Sequence, residues 1–406
     1  MKYLKYFFWV IIVGIFCERY YELAIILFCT LFFVLRYVEF SINKKQLYIF
    51  LIICTISLIT ILLNGYKTNK PILMMCTIGI FCICYYNIFK VIRKNHIEEI
   101  FNIYITFTKY VSILGIVQFV VYAISQWDFL LPLYGYSNSP IIMPGVIRVY
   151  SIMDEPSYFS AIITPAFVYH FLSDSFRCKN YPTIEKFIVY TALILTFSST
   201  AYVIIALCFI YKYFFIKSNK EYITLKRIVI IIIIICAFFS KSNSDYDDLY
   251  NDNRIATFEK IEETYNALSD PNATPNSYEL LNLSSYATLT NMWVAINSPN
   301  RILGTGIGTH VQNYHRNYKS SFKYYGLNSE DGYSLANRIY SELGIFGMVL
   351  LFIFIYKNFN KKSIINISVF FLLLSLCLRG GNYVRYGTIF FFYLYYYTNN
   401  KFLKYD

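Results

Sequence analysis

Apolar stretches long enough to cross ~30 Å of hydrocarbon recur at 3–17, 20–38, 46–64, 71–89, 101–125, 156–173, 186–198, 200–216, 228–240, 334–356, 363–378 and 384–398. Backbone N–H and C=O groups in lipid must be satisfied within the spanning segment itself, so runs of this length are read as helices. With 57% hydrophobic and 15% charged residues, little of the chain is left to make a water-soluble surface. The expected fold is an all-α polytopic membrane protein with about twelve transmembrane helices. The tight pairs at Glu18-Arg19 and at Ser198-Ser199-Thr200 are each read as two helices or one broken one.

Lys and Arg fix the expected orientation. With Lys2 and Lys5 inside, the loops carrying Arg36, Lys44, Lys45, Lys90, Arg93, Lys94, Lys357, Lys361 and Lys362 are also cytoplasmic, and both termini lie inside. The formal charge of +12 is then membrane anchoring, and nucleic acid is excluded as a partner. Ten cysteines lie almost wholly in or beside apolar runs, and the long polar segment has none. Disulfides and zinc are therefore not expected.

Hydropathy falls for long only between 241 and 333. The expected organisation is a membrane portion at 1–240, an extracytoplasmic loop at 241–333 and a second membrane portion at 334–406. Within the loop, "RIATFEKIEETYNAL" and "YATLTNMWVAI" carry helical periodicity, the second placing Leu289, Trp293 and Ile296 on one face. A second irregular external stretch covers 126–155, and its Gly, Pro and Ser content is too high for a simple hairpin. Both irregular segments fall on one side of the membrane, which is where chemistry is expected.

Arg148 and Glu155 lie in "RVYSIMDEPSYF". Pro156 suits a first helical turn, and Glu155 then sits at the positive end of a helix dipole. Asp154 and Glu155 are either solvated helix-start residues or a functional acid beside an arginine. "SPNRILGTGIGTHVQNYH" supplies Arg301, then Gly304, Gly306 and Gly308, then His310, Tyr314 and His315. Closely spaced glycines let backbone N–H groups approach a phosphate and an arginine supplies a bidentate partner, although a tight turn with two surface histidines fits the same residues. "SDYDDLYND" is read as a solvated acidic run. Lys109 and Arg385 are expected to snorkel, and Arg338 with Glu342, one turn apart, to form an internal pair or touch substrate.

A dozen helices, a large late external loop, the Arg-x6-Glu-Pro stretch and the Glu-x-Gly-x-x-Gly of "IYSELGIFG" resemble the O-antigen and capsular polysaccharide polymerases of bacteria, the Wzy type. The related ligases carry a histidine and a polar residue ahead of two glycines. Counted back from Gly344 and Gly347, Tyr333 stands where that histidine would be, which argues against a ligase. The arginine that follows the hairpin in the family is replaced here by Ala201.

The resemblance implies a GT-C-like glycosyltransferase of the bacterial cytoplasmic membrane that joins undecaprenyl-diphosphate-linked oligosaccharides without ATP, metal or other cofactor. Its partners would be the lipid-linked oligosaccharide, the bilayer and, optionally, a chain-length regulator. On that reading Arg148, Arg254 and Arg301 bind diphosphate, with Gly304, Gly306 and Gly308 as backbone support. Glu155 is the first candidate base, His310 and His315 the second, and Tyr314 is a candidate sugar-stacking residue. A lipid-linked oligosaccharide flippase is the rival from another class.

Overall fold

A computed structural model describes residues 2–17, 23–38, 40–92, 94–131, 141–143, 145–176, 181–216, 264–270, 272–274, 277–280, 283–318 and 325–399. The expected span at 228–240, the acidic run at 244–252, Arg254 and most of the first loop helix lie outside these residues. The described chain is mostly helical. In order come α1 (Lys2–Phe16), α2 (Leu23–Tyr37), α3 (Lys44–Leu63), α4 (Asn69–Val91) and α5 (Lys94–Ser125), then a ribbon of β1 (Ile141–Met143) and β2 (Val146–Ile147). After the ribbon follow α6 (Pro156–Phe176), α7 (Thr183–Leu195), α8 (Ser199–Phe215), a 3₁₀ turn at Ser277–Leu280, α9 (Leu283–Ile296) and α10 (His310–Asn317). The chain closes with α11 (Leu335–Asn358), α12 (Ile364–Leu378) and α13 (Thr388–Tyr397).

Among the described residues, four stretches are long and apolar enough to cross a membrane: α3, α4, His96–Ser125 within α5, and α11. They mark a membrane protein. Lys5–Phe16, Leu27–Tyr37, α8 and α12 are apolar but shorter. The hairpin near 198 is two helices, because Phe197 takes a left-handed φ of 46° between α7 and α8.

The bundle is organised around α6, which is buried almost all round, as a helix apolar on every face must be. Its neighbours include α5, α7, α8 and α12. Lys109 of α5, expected to snorkel, reaches Glu185 in the first turn of α7 at 3.1 Å.

The most constrained feature is a break in α11. Gly344 has φ 63° and ψ −158°, which interrupts the helical ladder and strands the backbone groups on either side. The turn at 301–306 satisfies them in both directions. Ile345 and Phe346 donate to the carbonyls of Arg301 and Ile302 at 2.9 and 3.0 Å, while Thr305 and Gly306 donate to those of Ser341 and Glu342 at 3.3 and 2.7 Å. Any side chain at Gly344 would lie 2.4 Å from the Ile302 carbonyl oxygen.

Gly344→Ala is therefore expected to cost at least about 3 kcal/mol through backbone overlap in a region closed to L-residues. Gly65→Ala is the control, since Gly65 also has positive φ but nothing within 4 Å, and should cost about 1 kcal/mol. Thermal unfolding of both variants in detergent checks the difference.

Candidate anion site at the ends of three helices

Three segments meet where α6 begins, α11 begins and α12 ends. Arg379 follows α12 in extended conformation, and Gly380 and Gly381 come next. The Gly380 amide donates to the Tyr333 carbonyl at 3.0 Å. Gly381 lies so close to the Asp331 carbonyl that a Cβ would overlap it. This glycine pair lets 379–382 press onto 331–334, and both press onto the start of α6.

Arg379 is the centre of the contact. Its Nη2 donates to Glu155 Oε2 at 2.5 Å and its Nε to Ser157 Oγ at 3.2 Å, while Ser157 Oγ donates to the same Glu155 oxygen at 3.0 Å. Its guanidinium lies 4.2 Å from the ring centre of Tyr333 and 5.1 Å from that of Tyr158, within the range of cation–π attraction. The Tyr158 hydroxyl donates to Asp331 Oδ2 at 2.6 Å, and Asp331 Oδ1 accepts from the Tyr333 amide at 3.0 Å. The Nη1 atom of Arg379 is buried and has no hydrogen-bond partner. The side chain of Arg379 is 7% exposed and that of Glu155 39%, so the acid stands at the mouth of the site and the cation at its floor.

The charges fit this layout. Burial pushes the Glu155 carboxyl up, but Arg379, Ser157 and Arg148 together hold it below its ordinary value. Burial pulls Arg148 down, with Glu155 and Tyr333 opposing and Arg379 reinforcing. Arg379 is raised well above the usual arginine value: burial opposes this, and Glu155 and the neighbouring tyrosines and Asp331 outweigh it. Arg148 Nε donates to the Thr196 carbonyl at 3.4 Å, and the Val149 amide donates to that of Leu195 at 2.9 Å. Arg148 and Val149 are thus tied to the end of α7, at the hairpin that leads into α8.

Behind the site lies a second cluster. Arg338 Nε donates to Glu342 Oε1 at 3.1 Å, with side-chain exposures of 4% and 0%, and Arg338 Nη1 donates to the Gly381 carbonyl at 3.1 Å. Glu342 also accepts from the Gly308 amide at 2.8 Å and the His310 amide at 3.3 Å. The glycine turn therefore already holds an anion, the carboxylate of Glu342. The amides of Gly306 and Gly308 are engaged with Glu342, and Gly304 abuts its backbone. These three glycines brace the break in α11 and do not present a phosphate cradle.

The other expected residues separate. His310 is 1% exposed, with Nε2 3.0 Å from Asn291 Oδ1. Burial, reinforced by Arg338, pushes its pKa down to about 3, so it is a neutral interior group. His315 is exposed, with Nδ1 2.8 Å from the Tyr325 hydroxyl. Arg301 is exposed and contributes its carbonyl to the α11 break. Tyr314 is fully buried among Tyr286, Tyr318 and Tyr325, which removes it as a sugar platform. In α9 the buried residues are Ser285, Tyr286, Ala287, Leu289, Thr290, Asn291, Val294 and Ala295. Ile296, expected on the packed face, is 41% exposed.

Of the candidates, Arg148 and Glu155 are brought together, and Arg379, Asp331, Tyr158 and Tyr333 join them. Arg379 reads in sequence as one more flanking charge. The signal available was the pair Gly380-Gly381 directly after it, which permits close backbone approach at a helix end. No family model, curated protein or solved structure matches the chain.

The depressed pKa of His310 makes a signed prediction. Below about pH 6.5 the unfolded chain binds a proton at this histidine that the folded chain refuses, so stability falls as pH drops from about 6.5 toward 3. Between pH 6.5 and 5 the loss should be roughly 1 to 2 kcal/mol. Chemical unfolding at the two pH values, in wild type and His310→Gln, should show a smaller loss in the variant.

Proposed function

We propose that this protein polymerises undecaprenyl-diphosphate-linked oligosaccharide repeat units into O-antigen or capsular polysaccharide, as a GT-C-like glycosyltransferase. On this reading it has about twelve spans, lies in the bacterial cytoplasmic membrane with both ends of the chain inside, and opens its site on the outer face. The observation that carries the proposal is the buried Arg379 guanidinium with an unpartnered Nη1, beside Arg148 and behind a partly exposed Glu155.

Glycosyl transfer from a lipid diphosphate needs three things from the protein. Negative charge builds on the leaving diphosphate as the C1–O bond breaks, so cations must be preplaced there. The acceptor hydroxyl attacks C1 and its proton needs a base within reach. Both sugars must be held while the lipid stays in the membrane. Arg379 and Arg148 supply the cations. Glu155 supplies the base, because only its Oε2 is engaged by Arg379 and Ser157.

Pairing with Arg379 keeps Glu155 ionised, but it also makes the carboxylate a weak base. A diphosphate on the Nη1 edge would share the guanidinium charge now set against Glu155 alone, and the basicity of the carboxylate would rise as the leaving group seats. Substrate binding and base activation are then one event. Asp331 fixes Tyr158 and the Tyr333 backbone, so the two rings that flank Arg379 are themselves positioned. Tyr333 stands where the related ligases have histidine and covers the cation.

In the native host, deletion of the gene should leave single repeat units on the cell surface, and restoration should return a polymer ladder. Glu155→Gln should insert normally and yield single units or very short chains. Long polymer held on its lipid carrier after deletion would instead mark a ligase, and repeat units trapped on the cytoplasmic side would mark a flippase.

A further inference from the structure

A network of buried polar groups lies beside the segment that carries Arg148 and Glu155. Gln118, Asp128, Tyr150 and Ser151 are all buried. Gln118 falls within the apolar stretch His96–Ser125 of α5, where a polar side chain is costly unless its hydrogen bonds are made. Its Nε2 donates to Asp128 Oδ1 at 3.1 Å, and its Oε1 accepts from the Ser151 amide at 3.1 Å and the Tyr150 amide at 3.4 Å. Asp128, just beyond the end of α5, also accepts from the Leu130 amide at 3.2 Å and the Tyr150 hydroxyl at 2.7 Å. A carboxylate accepts and does not donate, so it turns the amide nitrogen of Gln118 toward itself and the oxygen toward the chain at 150–151.

Residues 148–155, between β2 and α6, belong to no helix or strand, so their backbone groups need partners from outside. The Val149 amide goes to the Leu195 carbonyl, and those of Tyr150 and Ser151 go to Gln118. The Ser151 hydroxyl donates to the Val111 carbonyl at 2.7 Å. Gly115 lets Val149 close onto α5, since a Cβ there would lie 2.6 Å from Val149 Cγ1. Ser151 takes a φ of 53°, a conformation that a serine keeps only where its surroundings fix it. The Tyr150 carbonyl then accepts from the Met153 amide at 2.9 Å, and Glu155 follows two residues on. Arg148 and Glu155 stand at the two ends of a segment gripped at its middle.

We propose that Gln118, oriented by Asp128, is the positioning residue for Arg148 and Glu155. It fixes the course of 149–151 and thereby the placement of cation relative to base in the transfer proposed above, the reading on which this role rests. Neither Gln118 nor Asp128 touches substrate; both act through the backbone they hold.

The test pairs amide hydrogen exchange of the purified full chain with reconstituted polymerisation of lipid-linked repeat units. Gln118→Met fills the same space without the acceptor. It should speed exchange at the Tyr150 and Ser151 amides about tenfold while peptides of α11 and α12 keep wild-type rates. Its kcat should fall about tenfold or more with KM within about twofold. Asp128→Asn can keep the hydrogen-bond pattern, its Nδ2 donating to the Tyr150 hydroxyl, and should stay near wild type in both measurements. Gln118→Glu matches the pattern only when protonated, because its ionised form repels Asp128. Its rate relative to wild type should therefore rise roughly threefold or more from about pH 8 to about pH 6, and this variant decides the matter where Gln118→Met does not fold. Unchanged exchange at 150–151 or an unchanged kcat in Gln118→Met, or a flat rate ratio in Gln118→Glu, would overturn the inference and leave the proposed function standing. A wild-type protein that joins no repeat units would end the proposed function and this role with it.

Discussion

A helix broken in an apolar protein must hand its freed backbone groups to something, and here α11 hands them to the 301–306 turn. Four backbone hydrogen bonds cross between the two segments. The carboxylate of Glu342, one turn after Arg338, then collects the Gly308 and His310 amides. Each half of this exchange is unsatisfied without the other, and an unsatisfied buried backbone group costs about 1 to 3 kcal/mol. Removing either partner of the buried Arg338–Glu342 pair would cost about 3 to 5 kcal/mol more, because the remaining charge would have no counterion.

The site grows from that brace. Arg338 holds the Gly381 carbonyl, which fixes the segment carrying Arg379, and the start of α11 fixes 331–334, which carries Asp331 and Tyr333. Glu155 arrives from a third direction, at the head of the most buried helix of the bundle. Arg379 is thereby placed before any ligand arrives, as the function proposed above requires of a cation that meets a leaving diphosphate. The asymmetry in exposure follows from the same packing: the cation is enclosed by Tyr158 and Tyr333, and the acid stands at the entrance.

Much of this was legible in residues. The apolar runs predicted most of the described helices to within a few positions, and the Arg-x6-Glu-Pro stretch singled out Arg148 and Glu155. The glycine turn misled because its spacing encodes amides that approach an anion without saying which anion. In this chain the anion is Glu342, 34 residues further on. Arg379 and Asp331 could not be joined to Glu155 from sequence, since 224 residues separate Glu155 from Arg379 and no periodicity links them. Tyr314 shows the limit of composition: with 42 tyrosines, the sequence does not distinguish a buried ring from an accessible one.

The proposed function puts a lipid-linked diphosphate on the Nη1 edge of Arg379. Equilibrium binding of undecaprenyl diphosphate to the purified protein tests this, comparing wild type with Arg379→Lys at matched thermal stability. Lysine keeps the charge but loses the planar fork that engages Glu155 and a phosphate at once. Affinity weakened about tenfold or more is the predicted result. Equal affinity in a folded Arg379→Lys protein would contradict the account and move the anion site elsewhere.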